Sequence, residues 1–333
     1  MRLVTGATGL VGGHLLYRFR ESATTTIAIY RDKSSIEKTR SIFRSYGKNQ
    51  EHLVNHFIWK KADILDLPAL EKIFTDFIEV YHCAATITAH SFDQMKMVNI
   101  TGTENLVNLS IAYGVKKFCH VSSISALGDP IGNRAINEED FFNLDANNTD
   151  YAISKYAAEM EVWRATQEGM DVVIVNPGII LGEGSWETGS GQLFNRTHDG
   201  NRFYTSGSSG FIDVRDVADI MIRVTEDSIK NERFILVAEN LTYQSILSKI
   251  AHQFNVKQPK WKINKLLLYI AVGLSHISAL FLNSKKFKTS DAQTLLSSTS
   301  YSSDKIVDLL EYQFIPIDET IKRICNFYKN VSA

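Results

Sequence analysis

The run Thr5-Gly6-Ala7-Thr8-Gly9-Leu10-Val11-Gly12 lies where one hydrophobic period gives way to another. Leu3 and Val4 end a short apolar strand, and Leu10 to Phe19 has helical spacing, so the glycines occupy a strand-to-helix turn. Gly6 permits a tight turn, Gly9 lets the backbone approach a phosphate with no Cβ between them, and Gly12 lets the helix pack closely on the sheet. The helix N-terminus then faces a pyrophosphate. Gly6, Thr8, Gly9, Leu10, Val11 and Gly12 are therefore the first candidate dinucleotide contacts. The spacing is Gly-x-x-Gly-x-x-Gly rather than the commoner Gly-x-Gly-x-x-Gly, and a glycine-rich turn by itself is often only a turn.

The pattern continues outward from this turn. Strands are expected near Thr26 to Tyr30, Phe57 to Lys60, Val80 to Cys83, Phe118 to Val121 and Val172 to Val175. Helices are expected near Ser34 to Tyr46, Leu67 to Asp76, Asp93 to Tyr113 and Tyr151 to Gln167. Strand and helix alternate, which predicts an α/β fold with a Rossmann-type, doubly wound parallel sheet and right-handed crossovers.

A second motif, Tyr151-Ala152-Ile153-Ser154-Lys155, puts a phenol and an ammonium four residues apart on one helical face. A free tyrosine titrates near pH ~10, and a nearby ammonium lowers that value by stabilising the phenolate. Such a tyrosine can pass a proton to or from a carbonyl or alcohol oxygen. The spacing alone also fits an ordinary amphipathic pair. The glycine turn in the same chain is what favours chemistry.

Composition narrows the class. With 36 basic and 37 acidic residues and a net charge of −1, no global field favours nucleic acid or an anionic membrane, and a small-molecule substrate is expected. Cys83, Cys119 and Cys325 are too few and too far apart for a disulfide framework or a zinc site, and read as reduced thiols. His14, His82, His120 and His198 are far apart, His52 and His56 are a lone pair four residues apart with no cysteine nearby, and no metal is expected. The glycine motif begins within five residues of Met1, which leads to the expectation of no secretory signal and a cytoplasmic protein.

Two regions depart from the rhythm. Ser125 to Asp150 is polar and punctuated by Gly128, Pro130 and Gly132, and Gly182 to Gly191 and Thr205 to Gly210 are rich in Gly and Ser; Ser125 to Asp150 and Gly182 to Gly210 are expected as loops that shape a substrate site. Residues 266–282, LLLYIAVGLSHISALFL, are almost wholly apolar. Seventeen residues is the bottom of the spanning range, so a buried or substrate-lining helix is favoured over membrane contact.

Further matches accumulate in order: Asp63-Ile64, His82-Cys83-Ala84-Ala85, Asn99 with Gly102-Thr103, Val121-Ser122-Ser123, Asn176-Pro177-Gly178 and Asp213-Val214-Arg215-Asp216-Val217-Ala218. On these residues nearly the whole chain resembles the extended short-chain dehydrogenase/reductase family, in its NAD-dependent epimerase/dehydratase group. It is most like the dihydroflavonol-4-reductase-like branch. The resemblance implies that Lys155 also binds the nicotinamide ribose, that Ser123 orients the reacting oxygen and that Asn99 supports the proton relay. It also implies cofactor contacts at Asp63, Ile64, Cys83, Ala84, Ala85, Asn176, Pro177 and Gly178. Counting back from Gly128 in the family pattern favours Ser123 over Ser122 as the catalytic serine. By the same resemblance, residues 1–177 and 211–238 form the NAD(P)-binding domain and residues 178–210 and 239–333 a substrate lobe. Phe211 to Asp216 would return the chain to the sheet, Trp186, Phe194, Phe203 and Tyr204 are candidates for the cleft or the core, and a homodimer would form through the two long helices.

At the end of the second strand Arg31 occupies the place where reductases of this family meet a 2′-phosphate, and Lys33 could assist. This favours NADP(H), with NAD(H) as the alternative should Asp32 turn inward. Charge-assisted bonds of roughly 1.5–3 kcal/mol would give about ten- to hundredfold selectivity. The leading expectation is an NAD(P)-dependent oxidoreductase acting on a ketone, aldehyde or secondary alcohol of a fairly apolar substrate. The alternatives are a nucleotide-sugar epimerase or dehydratase with retained NAD, a membrane-associated steroid-type dehydrogenase and a non-enzymatic dinucleotide sensor.

Overall fold

Six apolar segments alternate with helices through the first half: β1 (Arg2–Thr5), β2 (Thr26–Tyr30), β3 (Ile58–Lys61), β4 (Glu79–His82), β5 (Lys117–Val121) and β6 (Asp171–Pro177). The chain then leaves to make β7 (Ile179–Leu181), β8 (Phe203–Tyr204) and β9 (Ser208–Asp213), and returns as β10 (Glu232–Leu236). In the computed structural model, which describes residues 1–89, 91–130, 132–226, 228–270 and 288–332, seven of these strands form a sheet of order β10-β6-β5-β4-β1-β2-β3. Every pair in it is parallel.

Alternation along the strands feeds two cores. Leu3, Val80, Phe118, Val172 and Ile174 face one side, with Leu106, Val107 and Val162 from helices α5 (Gly102–Ala112) and α6 (Asp150–Gln167). Val4, Tyr81, Cys119, Val173 and Val175 face the other, against α1 (Leu10–Phe19) and α8 (Val214–Glu226). Strands covered on both faces read as continuous apolar runs, as in Val172 to Val175. The strand order reverses between β1 and β4, and at such a switch point an open α/β sheet forms its ligand crevice beyond the carboxyl ends of the strands.

Elsewhere the structure differs from the sequence reading. Phe211 to Asp213 do not rejoin the main sheet. They belong to β9, which pairs with β7 and with β11 (Glu239–Thr242) in a separate three-stranded sheet, and the return is made by α8 and β10. Gly178 allows the two sheets to meet there, since a Cβ on it would lie 2.4 Å from the Gly210 carbonyl oxygen. The helix expected to reach Asp76 ends at Glu71, because Ile73, Phe74 and Phe77 turn into the core in irregular turns. The helix expected over Asp93 to Tyr113 is broken by a π-helical segment, Met97–Thr101. Phe194 and Trp186 pack into a smaller core with helix α9 (Tyr243–Phe254) and the C-terminal helix Ile317–Ser332, and Phe203 is largely exposed, so these aromatics do not form one cleft. Of the apolar stretch 266–282, residues 271–282 lie outside the described residues.

Candidate functional site

The glycine turn stands at the carboxyl end of β1. Gly6 has a left-handed backbone, φ +64°, and a Cβ on it would lie 2.6 Å from the Ala84 nitrogen, so the turn and the end of β4 touch backbone to backbone. A Cβ on Gly12 would lie 2.2 Å from the Gly6 carbonyl oxygen. These two positions can hold only glycine without movement of the chain. Gly9 is the N-cap of α1 and offers no side-chain hydrogen bond, leaving the first N–H groups of the helix to an outside acceptor. An uncapped helix end behind a cradle that a Cβ would fill suits a dinucleotide pyrophosphate.

The candidate cofactor contacts line both sides of this turn. Cys83 donates its N–H to the Thr5 carbonyl (3.3 Å), and the Ala84 N–H reaches Thr5 Oγ1 (3.3 Å). Asp63 accepts from the Leu65 N–H (3.0 Å), and Ile64 packs so tightly on the start of α5 that a Cβ on Gly102 would lie 2.4 Å from its Cδ1. After β2, Arg31 and Lys33 are exposed. Asp32 is turned onto its own turn, where its carboxylate accepts from the Ser34 N–H (3.0 Å), and this bond holds its pKa below the usual carboxylate value.

At the other end of the crevice Thr149 caps α6, accepting the Ala152 N–H on its hydroxyl (3.1 Å). This cap fixes Tyr151 in the first turn and Lys155 one turn on. The Tyr151 hydroxyl lies near enough to Ser123 to feel its hydroxyl, and the Ser123 Oγ accepts the Ser125 N–H (3.1 Å). Ser122 points the other way and donates to Glu159 Oε2 (2.6 Å). Lys155 is buried, and its ammonium donates to the Val121 carbonyl (2.7 Å). Burial pulls the Lys155 pKa down to about 8, against the raising influence of Glu159. The Tyr151 hydroxyl moves in the opposite direction from the one its lysine neighbour alone would impose. Burial raises its pKa, and the Ser123 hydroxyl offsets part of that rise.

Asn99 lies in the π-helical segment and is buried. Its Oδ1 accepts the Thr86 N–H (2.7 Å), and its Nδ2 donates to the Thr86 carbonyl (3.0 Å) and to Ser154 Oγ (3.0 Å). It thereby ties the segment after β4 to the helix that carries Tyr151 and Lys155. A buried polar chain continues from it. The Thr103 hydroxyl donates to the Asn99 carbonyl (2.7 Å) and lies 2.8 Å from His82 Nε2, and His82 Nδ1 lies 2.8 Å from Thr5 Oγ1. Burial, with the Lys155 charge adding to it, pushes the His82 pKa down to about 3, so the ring is neutral in this chain of bonds.

Asn176 and Pro177 are buried beneath the site. The Asn176 amide donates to the Ser123 carbonyl (3.0 Å) and to Glu159 Oε2 (2.9 Å), so its side chain supports the serine loop. Glu159 was not among the residues expected from sequence, although it continues the Tyr151 and Lys155 stripe one turn further. Its carboxylate is fully buried and also accepts from Trp163 Nε1 (3.2 Å) and Arg233 Nη1 (3.2 Å). A cavity of about 680 Å³ opens on the far side of α6 among Phe142, Tyr156, Met160, Trp163 and Arg233, and none of Ser123, Tyr151, Lys155 or the glycine turn lines it.

Comparison with known proteins places this geometry. Sterol demethylase protein B of Methylococcus capsulatus is 27% identical over 271 residues, which cover 78% of this chain and 76% of that protein. A putative dihydroflavonol 4-reductase of Synechocystis sp. is 26% identical over 267 residues, covering 77% and 73%. The crystal structure of gox2253 superposes with a TM-score of 0.83 at 23% identity, covering 99% of this chain and 98% of that one, and so shares the fold. The family model described as "NAD dependent epimerase/dehydratase family" matches residues 2–238. The uncapped glycine turn and the Ser123, Tyr151 and Lys155 cluster lie within or beside that span of matched sequence, and the chain belongs to the NAD-dependent epimerase/dehydratase family.

Proposed function

We propose that the protein is an NAD(P)-dependent oxidoreductase that moves a hydride between NADP(H) and a ketone, aldehyde or secondary alcohol of a small, fairly apolar substrate. The observation that carries this reading is the placement of Ser123 at the end of β5 beside Tyr151 in the first turn of α6, with the buried Lys155 ammonium one turn on. When bound, the dinucleotide supplies or takes up the hydride. The chain's own residues handle the proton. Ser123 holds the reacting oxygen against Tyr151, and Tyr151 gives its hydroxyl proton as a carbonyl becomes an alcohol, or takes one in reverse. Lys155, with its pKa drawn to about 8, stabilises the resulting phenolate and exchanges a proton near neutral pH at little cost. Asn99 braces the helix that carries both.

The glycine turn from Gly6 to Gly12 holds the pyrophosphate in this reading, with Asp63, Ile64 and Cys83 to Ala85 beside it. Arg31 and Lys33 face a 2′-phosphate. The bond from Asp32 to the Ser34 N–H engages that carboxylate in its own turn, and the choice rests on the two exposed cations Arg31 and Lys33. Residues 1–177 and 211–238 act as the cofactor-binding unit, residues 178–210 and 239–333 as the substrate lobe, and the working form is a homodimer. The match to a putative dihydroflavonol 4-reductase supports reduction rather than epimerisation.

Fluorescence titration of the purified protein with NADPH and NADH tests the reading, after release of any co-purifying dinucleotide. Exchangeable NADPH binding about ten- to hundredfold tighter than NADH, reversed in Arg31→Ala, is the expected result. Tightly retained NAD with little affinity for NADPH would replace it with a nucleotide-sugar epimerase.

A further inference from the structure

Residues 240–290 contain no aspartate or glutamate and eight lysines, in a chain with 37 acidic residues. At the chain's mean density about six acidic residues would fall there. Within this stretch β12 (Trp261–Lys262) pairs with β8, and the rings of Trp261 and Phe203 meet 5.3 Å apart. Trp261 is 62% exposed. Residues 265–270 follow directly as a helical turn. Its Leu268 packs inward with Ile263, Ala292 and Leu295, and Leu266, Leu267 and Ile270 are turned out, Leu266 being 69% exposed. Lys257, Lys260, Lys262 and Lys265 are exposed between and beside these apolar groups and have no ion pair among the described residues. Lys249 and Lys288, by contrast, are paired with Asp318 and Asp150.

We infer that this face docks the protein on the surface of an anionic lipid bilayer. Exposed Trp, Phe and Leu side chains ringed by unpaired lysines fit the boundary between acyl chains and headgroups, where the apolar groups insert and each ammonium meets a lipid phosphate or carboxylate. None of the 51 residues from 240 to 290 adds a carboxylate that such a surface would repel. The contact is peripheral, and among the described residues no helix is long and apolar enough to cross a membrane. Ala292 and Leu295, which pack with Leu268, lie on the helix Thr289–Leu296, whose N-cap residue Lys288 pairs its ammonium with Asp150 beside Tyr151. Docking therefore brings the mouth of the candidate site close to the phase in which an apolar substrate dissolves. The docking itself does not depend on the proposed reaction.

Flotation of the full-length protein with vesicles of phosphatidylcholine alone, and of phosphatidylcholine with roughly one third phosphatidylserine, tests this. The protein should float with the anionic vesicles at low salt and be released as salt is raised. At about fivefold per lysine, the triple variant Lys260→Glu, Lys262→Glu, Lys265→Glu should weaken the partition at least about a hundredfold. Trp261→Ala with Leu266→Ala should also weaken it, while leaving its salt dependence in place. All these side chains are exposed, so unchanged thermal midpoints and NADPH titrations will separate lost docking from lost folding. Absence of flotation with anionic vesicles, or flotation undiminished by lysine reversal, overturns the inference. Capture by an acidic protein surface without lipid binding would overturn it as well.

Discussion

Adjacent serines at the end of β5 do different work. Ser123 stands beside the Tyr151 hydroxyl, and Ser122 is spent on the Glu159 carboxylate. The two alanine variants should therefore fail in different ways. Ser123→Ala is expected to lower turnover with the thermal midpoint nearly unchanged. Ser122→Ala is expected to lose about 1–3 kcal/mol of stability, because the buried carboxylate loses a donor, and to keep most of its turnover once folded. Tyr151→Phe removes the transferable proton and should reduce turnover about 10²–10⁴-fold while NADPH still binds, which steady-state rates and the fluorescence titration together would show. Wild-type turnover in Tyr151→Phe would place the proton transfer elsewhere.

Among elements, α6 carries the candidate pair Tyr151 and Lys155 and its buried support Glu159 on one stripe. Glu159 takes hydrogen bonds from Ser122, Asn176, Trp163 and Arg233 and so ties β5, β6, β10 and α6 together under the site. Glu159→Leu strands the Arg233 charge and three donors, and should cost about 3–5 kcal/mol in urea unfolding. A loss below about 1 kcal/mol would mean that water replaces the carboxylate. The Tyr-x-x-x-Lys motif was legible in sequence, and Glu159 could have been found by extending the stripe by another four residues. Arg233 could not, since nothing local distinguishes it on a strand that pairs with β6 only after an excursion of more than fifty residues. Strand β2 and helix α1 match the sequence expectation residue for residue, because apolar period and turn chemistry coincide at their ends. The π-helical segment around Asn99 was not legible, since a single π turn has no residue signature of its own and is set by what the helix packs against.

Across the whole molecule, the motif from Asp213 to Ala218 fastens the C-terminal segment to α8 and the end of β9. Asp216 accepts from the Tyr312 hydroxyl (3.0 Å) and the Ile315 N–H (2.9 Å), and Arg323 pairs with both Glu183 and Asp213. Burial raises the Asp216 pKa from 3.8 to about 7, despite the opposing Ile315 bond. Between those values the folded protein holds a proton that the unfolded chain has released. The stability this group contributes is therefore full below about pH 4 and is lost as the pH climbs through about 7. Relative to Asp216→Asn, the wild-type urea midpoint should fall over that range, and a constant difference would show that the carboxyl stays ionised. The fold class was legible in the alternation of strand and helix. The return path was not, because β9 has the same apolar pattern as a strand of the main sheet and only its partners distinguish it.

Strand β10 has a consequence for how the protein is made. It is the last strand of the main sheet to leave the ribosome, and until it arrives the four consecutive β-branched residues of β6 present an open, apolar edge. Asn231 starts the closure, its N–H bonding the Val172 carbonyl (2.6 Å). The outer side of β10 is then plugged by Glu138, which accepts the Ile235 N–H (2.8 Å), and by Ser303, which accepts the N–H of Val237 just beyond it (2.8 Å). A nascent chain stalled before residue 232 would hold a nearly complete sheet with a sticky margin, and chains in that state would associate with one another rather than wait.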